Sequence, residues 1–318
     1  MVGCAIVLND RIMGEGWHQK AGKAHAEVNA INAVKDKSLL PKATLYVSLE
    51  PCSHYGKTPP CSDLIIAHGI KKVVIGTVDP FAEVAGRGIQ KLMAAGCDVF
   101  VGVLEEECQA LNHRFFSFHQ KKRPYIILKW AQTLDGFIAP KDQSDRKPVW
   151  ITREISRQLV HKWRSEEQAI LVGTTTGMKD NPKLNVRLWE GNNPVRIVLD
   201  KSSKLPKDSH LLNGEIPTIM LSEQQEESKK NLLFEKIDFA QHVPKQVCEI
   251  LHKHGLQSVI VEGGSKTLQS FIDANLWDEA RVFTGNTYFK EGVPAPKFSE
   301  KPIDQKYFGD DGLKIYLR

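Results

Sequence analysis

The sequence predicts an α/β protein made of two units in tandem. Three observations carry this. Short apolar runs of strand length alternate with helical patterns along both halves. A polar, basic stretch, His119-Gln120-Lys121-Lys122-Arg123-Pro124, separates those halves. The length of 318 residues exceeds what one compact domain ordinarily needs.

In the first half, Val2–Leu8 reads as a buried strand closed by the Asn9-Asp10 turn signal. Ala26–Val34 is Ala-rich and helical, with Glu27 in the first turn, where a carboxylate complements the helix dipole. Thr44–Ser48 is a β-rich run before Pro51. Ser62–His68 is helical and stops at Gly69. Lys72–Gly76 is a strand, Gly88–Ala95 a helix ended by Gly96, and Asp98–Val101 a strand again. Proline disfavours helix for its predecessor, and charge keeps a segment in water, so the boundary falls after Lys121. The predicted domains are 1–121 and 122–318.

The second half opens with the strand Tyr125–Trp130. Further strands are predicted at Ala169–Val172, Val195–Leu199, Thr218–Leu221, Ser258–Val261, Ala280–Phe283 and Leu313–Leu317. Helices are predicted at Arg153–Arg164, Pro244–His254 and Ser265–Ala274. Ser222–Glu235 is polar and charged and is expected at the surface. There is no internal repeat and no low-complexity segment.

Composition excludes several classes. With 41% hydrophobic and 25% charged residues, the chain is neither collagen-like nor disordered. Apolar runs such as Gly3–Leu8 fall far short of the roughly 20 residues of a membrane span, so no membrane partner is expected. The net charge of +5 is dispersed. It does not argue for nucleic acid and suits a small anionic substrate. Six cysteines are too sparse for a disulfide framework and read as cytosolic thiols, some of them on a metal. No signal peptide pattern is present, and a cytoplasmic location is expected. The chain begins directly inside a strand, which predicts that a segment upstream of Met1 is missing.

The chemistry concentrates in His25-Ala26-Glu27, Pro51-Cys52 and Pro60-Cys61. One His and two Cys, with a fourth position open to water, form a catalytic zinc set. Two thiolates neutralise the ion, and such a site brings the pKa of its water towards neutrality. Glu27, two residues past His25, reaches that water without being a ligand and can pass its proton to a leaving amine. His-x-Glu alone is no signal. Joined to Pro-Cys and a second Cys, it is the signature of zinc nucleobase deaminases. The bland alternative, a helical His beside two buried thiols, needs every element to coincide. The cysteines are separated by eight residues rather than the usual two. That polar loop, with His54 in it, reads as a substrate-facing element.

The second half is less decisive. Lys129-Trp130-Ala131-Gln132-Thr133-Leu134-Asp135-Gly136 ends a strand in an Asp-Gly turn. Val172-Gly173-Thr174-Thr175-Thr176 places hydroxyl residues after a buried strand. Val261-Glu262-Gly263-Gly264-Ser265 reads as strand, glycine turn and a Ser placed to cap a helix, where backbone N–H groups hold phosphate. Equally, it reads as an ordinary strand-to-helix turn. Gly-x-Gly-x-x-Gly is absent, so a Rossmann fold is not indicated.

His25-Ala26-Glu27 with Leu49-Glu50-Pro51-Cys52-Ser53-His54-Tyr55-Gly56-Lys57-Thr58-Pro59-Pro60-Cys61 resembles the bifunctional riboflavin-biosynthesis deaminase/reductase family. Asp79-Pro80 and Val84-Ala85-Gly86-Arg87-Gly88 resemble that family's next motif, and the similarity extends over nearly the whole chain. The resemblance implies a cytidine-deaminase-like three-layer α/β/α domain followed by a dihydrofolate-reductase-like α/β domain. It implies one Zn2+, in the deaminase half, held by His25, Cys52 and Cys61, with Glu27 catalytic. It implies NADPH in the second half, with Ala131, Trp150, Thr176 and Asp180 at nicotinamide-cofactor positions. The Gly263–Leu268 turn, with Gly263, Gly264 and Ser265, falls on the pyrophosphate loop. Lys129, Arg164, Leu184, Arg187 and Glu262 fall on substrate positions, and arginine forks suit the substrate's phosphate. The implied substrate is a phosphorylated ribosylaminopyrimidine, and the implied assembly is a homo-oligomer through the reductase domain.

The chain departs from the family in three places. The family's first helix and Pro-Asn-Pro segment are absent, which predicts a sheet face left partly uncovered. Phe81-Ala82 replaces Asn-Pro after Asp79-Pro80. Pro148 stands where a substrate-contacting Ser is common. Three rival readings stay open: a working reductase with an inactive deaminase, a nucleic-acid deaminase with an appended domain, and a non-catalytic nucleotide-binding protein.

Overall fold

The computed structural model describes residues 1–20, 22–55, 59–81, 85–142, 146, 148–224 and 226–318. Gly56, Lys57 and Thr58 of the inter-cysteine loop lie outside them, as do Ala82 and Val84 near Asp79-Pro80. Two compact units divide the chain, Met1–Lys121 and Lys122–Arg318.

The first unit runs β1 (Gly3–Leu8), β2 (Arg11–Trp17), α1 (Ala26–Ala33), β3 (Thr44–Leu49), α2 (Cys61–Ala67), β4 (Lys72–Thr77), α3 (Arg87–Ala94), β5 (Asp98–Val101), α4 (Glu105–Leu111) and α5 (His113–Lys121). The sheet order is β2-β1-β3-β4-β5. Strand β1 is antiparallel to both neighbours, while β3, β4 and β5 are parallel. Alternation sends Leu45, Val47, Val73 and Ile75 to one face, where they form one core with Ala30 and Ile31 of α1, Ile65 of α2 and Leu92 of α3. On the other face, Gly76 lies directly beneath Cys108 of α4. The remainder of that face carries a groove of about 510 Å³, floored by Ala5, Tyr46 and Val74.

The second unit runs β6 (Tyr125–Thr133), β7 (Phe137–Pro140), α6 (Glu154–Glu166), β8 (Ala169–Gly173), α7 (Thr174–Asp180), β9 (Val195–Leu199), β10 (Thr218–Ser222), β11 (Leu232–Lys236), α8 (Val243–Lys253), β12 (Ser258–Val261), α9 (Ser265–Asp273), β13 (Glu279–Gly285), β14 (Gly292–Pro294), β15 (Asp304–Phe308) and β16 (Asp311–Leu317). Nine strands form one sheet, β11-β10-β9-β8-β12-β6-β13-β16-β15. It is parallel from β11 to β13 and antiparallel at β16 and β15. A parallel sheet buried on both faces explains the continuous apolar runs. Ile126 and Leu128 face a core with Val247 and Leu251 of α8 and Phe271 of α9. Tyr125 and Ile127 face the opposite core with Val160 and Trp163 of α6.

Three expectations need correction. Within Ser222–Glu235, expected to be surface, Leu232–Lys236 forms β11. As an edge strand it buries only Leu232 fully, so its polarity hid it. The basic stretch from His119, read as the boundary and kept in water by its charge, begins inside a helix: α5 runs to Lys121 and breaks at Lys122, whose φ is +54°. The aromatic residues Phe115, Phe116 and Phe118 give that helix contacts which the charge pattern masked. Ser265 is the first helical residue of α9 rather than its cap. Gly264 takes the cap position at φ +49°, and no side chain caps the helix. Among the described residues, no helix is long and apolar enough to cross a membrane.

Candidate active sites

In the first unit, the site begins with two glycines. A Cβ on Gly14 would lie 2.5 Å from the Ala30 carbonyl, and one on Gly16 would lie 2.5 Å from the Ala30 nitrogen. Their absence lets α1 lie against β2. Asn29 fastens the helix by donating to the Trp17 carbonyl at 2.9 Å. His25 then occupies the N-terminal flank of α1 in an extended conformation, and Glu27 lies in the first turn.

Cys52 follows β3, and Cys61 opens α2. The α2 N-terminus donates to Cys52 twice, from the Cys61 N–H to Sγ at 3.3 Å and from the Ser62 N–H to the carbonyl at 3.1 Å. His25 Nδ1 lies 3.6 Å from Cys52 Sγ and 3.3 Å from Cys61 Sγ. One donor atom from each of the three residues lies within 4.8 Å of the others. His54 is not part of this group. A soft donor set of one imidazole and two thiols at this spacing fits a zinc ion with an open fourth position.

Glu27 is 3% exposed. Burial pushes its carboxyl up to about 7, and the charge of Cys52 adds to that, while hydrogen bonding to Cys61 opposes it. Hydrogen bonding from Cys61 holds the Cys52 thiol down at about 4, and the Cys61 thiol is pushed up in return.

A residue the sequence reasoning passed over, Glu50, fixes the next motif. Its buried carboxylate accepts the N–H groups of Asp79, Gly86, Gly88 and Ile89 at 2.9–3.3 Å. It thereby ties the start of α3 to the Pro51-Cys52 segment, and Gly88 has no room for a Cβ beside the Pro51 carbonyl. The available signal was a Glu ending an apolar strand immediately before Pro-Cys. Burial pushes the Asp79 carboxyl up to about 6, while the Phe81 N–H donates to it at 2.8 Å. The Phe81 ring stands edge-on to His119 at 5.1 Å.

The second unit holds a cleft of about 590 Å³ at the carboxyl ends of β6, β8 and β12, where ligands of parallel sheets bind. Lys129, Ala131, Trp150, Arg164, Thr176, Asp180, Leu184, Arg187, Glu262 and Gly264 all line it. Gly263 and Ser265 do not. Gly263 instead packs against Val172, where a Cβ would lie 2.4 Å from Cα. Pro148 also lines the cleft.

A buried charge network forms the cleft floor. Arg164 donates to Glu262 through Nε at 3.2 Å and Nη2 at 2.7 Å, and Lys129 Nζ lies 3.8 Å from Glu262 Oε1. Burial alone would raise the Glu262 carboxyl, but the charges of Arg164 and Lys129 outweigh it and hold it at about 2. Burial lowers the Lys129 ammonium, and Glu262 resists that change. Arg164, placed among the phosphate-binding candidates, therefore has its fork engaged by Glu262. Arg187 Nη1 donates to the Asn185 side chain at 3.1 Å. His161, not anticipated, also lines the cleft.

Comparisons with known proteins find relatives of both units. The family described as "Cytidine and deoxycytidylate deaminase zinc-binding region" matches residues 1–77, and the "RibD C-terminal domain" family matches residues 124–289. The riboflavin biosynthesis protein RibD of Aquifex aeolicus is 40% identical over 96% of this chain and 85% of its own length. The chain belongs to the bifunctional riboflavin-biosynthesis deaminase/reductase family. A deaminase/reductase structure from Thermotoga maritima is 38% identical, covers 99% of this chain and 90% of its own, and has a TM-score of 0.87. The RibD structure from Acinetobacter baumannii is 31% identical at a TM-score of 0.87, covering 99% of this chain and 91% of its own. In this family the first unit is a zinc-binding, cytidine-deaminase-like domain and the second an NADPH-dependent reductase domain. The protein is accordingly a deaminase and a reductase of riboflavin biosynthesis.

Proposed function

We propose that residues 1–121 hydrolytically deaminate 2,5-diamino-6-(5-phosphoribosylamino)pyrimidin-4-one, and that residues 122–318 reduce the ribosyl group of the product to ribityl. The enzyme acts in the cytoplasm, and copies of the chain associate through the reductase unit. The observation that carries the reading is the convergence of His25, Cys52 and Cys61 beside the buried carboxyl of Glu27.

His25, Cys52 and Cys61 would hold zinc, whose Lewis acidity makes a water acidic near neutral pH. Glu27, buried beside the three ligand residues, takes the proton from that water at a carboxylate oxygen. It returns the proton to the departing amine nitrogen, and ammonia leaves. Glu50 holds the loop that follows β4 against the Pro51-Cys52 segment, so the floor of the site is preformed.

In the second unit the cleft would hold NADPH, whose nicotinamide would supply the hydride for C1 of the opened ribosyl group. Ala131, Trp150, Thr176, Asp180 and Gly264 line the part of the cleft assigned to the cofactor. Lys129 and Glu262 face the sugar, with Arg164 keeping Glu262 ionised. Of the two arginines implied at substrate positions, Arg187 is the one whose guanidinium is not engaged by Glu262, and it meets the phosphate.

Glu27→Gln tests the deaminase step. The variant should retain one zinc per chain and lose ammonia release by at least about 100-fold. Undiminished ammonia release from the variant would remove Glu27 from the mechanism.

A further inference from the structure

We propose that His161 is a positioning residue of the reductase: it holds the Leu184–Arg187 segment in the shape that presents Leu184 and Arg187 to the substrate. This rests on the reductase reading of the cleft. His161 and Arg164 lie one turn apart on α6 and face the same cleft. Arg164 grips Glu262 and also donates to the Asn185 carbonyl at 3.4 Å. His161 Nδ1 accepts the Arg187 backbone N–H at 3.2 Å.

The segment needs such a hold. Residues 181–187 form no helix or strand. Leu184 has a φ of +49° and Asn181 a φ of +39°. A leucine stays in the left-handed region only where its surroundings over-determine it. Besides the Arg164 bond to the Asn185 carbonyl, the segment is fastened by the Val186 N–H to Asn193 Oδ1 at 2.7 Å and by Asn181 Oδ1, which accepts the His210 N–H at 2.9 Å and the Ser209 hydroxyl at 3.3 Å. Among the described residues, His161 supplies the side-chain acceptor that fixes the backbone N–H of Arg187.

Accepting that N–H requires a neutral ring with its proton on Nε2. Burial pushes the His161 imidazole down to about 4, aided by the charges of Arg164 and Arg187 and opposed by Glu262 and the Asn185 carbonyl. The ring is 3% exposed, so the lone pair at Nδ1 is not lost to water.

Two variants of the full chain separate positioning from packing. His161→Leu keeps volume and removes the acceptor. His161→Asn keeps an acceptor near the place of Nδ1. With 5-amino-6-(5-phosphoribosylamino)uracil and NADPH, His161→Leu should raise KM for the uracil by about tenfold, the loss of one buried hydrogen bond. KM for NADPH should shift much less, and His161→Asn should recover most of the difference. Hydrogen exchange of the peptide spanning Leu184–Leu188 should quicken in the Leu variant and stay slow in the Asn variant. The proposal is overturned if both KM values rise alike, if Asn is no better than Leu, or if exchange is unchanged in the Leu variant. If the unaltered chain does not reduce this uracil, the reductase reading has failed, and exchange at Arg187 still decides the role of His161.

Discussion

Glu262 and His161 belong to one buried charge network, and acid dismantles it from two sides. The folded pKa of Glu262 lies near 2, below its ordinary value of 4.5. Its stabilisation is therefore complete above about 4.5 and is lost as pH falls towards 2. The size is about 3 kcal/mol. His161 also has a depressed folded pKa, about 4 against an ordinary 6.5. Because its neutral form is the native one, its contribution is present above 6.5 and is lost as pH falls through 4. A thermal unfolding series should show the reductase unit losing stability from about pH 6.5 downwards. His161→Asn should lack the part of that decline between 6.5 and 4. If the midpoint is flat across that window in the unaltered chain, His161 does not remain neutral in the fold. At this scale the deaminase residues were legible, because His25, Glu27, Cys52 and Cys61 sit in short motifs whose chemistry is local. His161 and Glu50 were not. Each acts on a backbone N–H supplied by a distant segment, and no spacing in the sequence records that.

The elements bring these residues together through close approach more than through propensity. Helix α1 carries Glu27 and is preceded directly by His25, and it reaches its place because Gly14 and Gly16 leave β2 bare beneath it. Gly16→Ala would drive a methyl into the α1 backbone at Ala30, and overpacking of this kind costs about 1–3 kcal/mol. Zinc per chain should fall well below one and ammonia release with it, while NADPH-dependent reduction of the deaminated substrate persists. Full zinc occupancy in the variant would show that α1 is not held by this contact. The long apolar strands were legible from the sequence because a parallel sheet buries both faces. Strands β2 and β11 were not: β2 is interrupted by the glycines that make it useful, and β11 is a half-wet edge. Helix α7 was read only as hydroxyl residues after a strand, since Thr174-Thr175-Thr176-Gly177 carries no helical pattern.

Taken whole, the molecule carries two separate chemistries on its two large sheets. The five-stranded sheet presents its metal set at the starts of α1 and α2. The nine-stranded sheet opens its cleft at the carboxyl ends of β6, β8 and β12. The class of both units followed from the alternation of elements, whereas cofactor and substrate came through the family resemblance. Glycine turns and lone arginines do not specify a ligand by themselves. The central claim is that one chain performs both steps in series. Its most direct test is to give the purified, zinc-loaded chain the diaminopyrimidine ribotide with NADPH and follow NADPH absorbance together with ammonia. The account predicts NADPH consumption that depends on the ribotide and is matched by ammonia release. No ammonia release from the ribotide, or ammonia release without NADPH consumption, would contradict it.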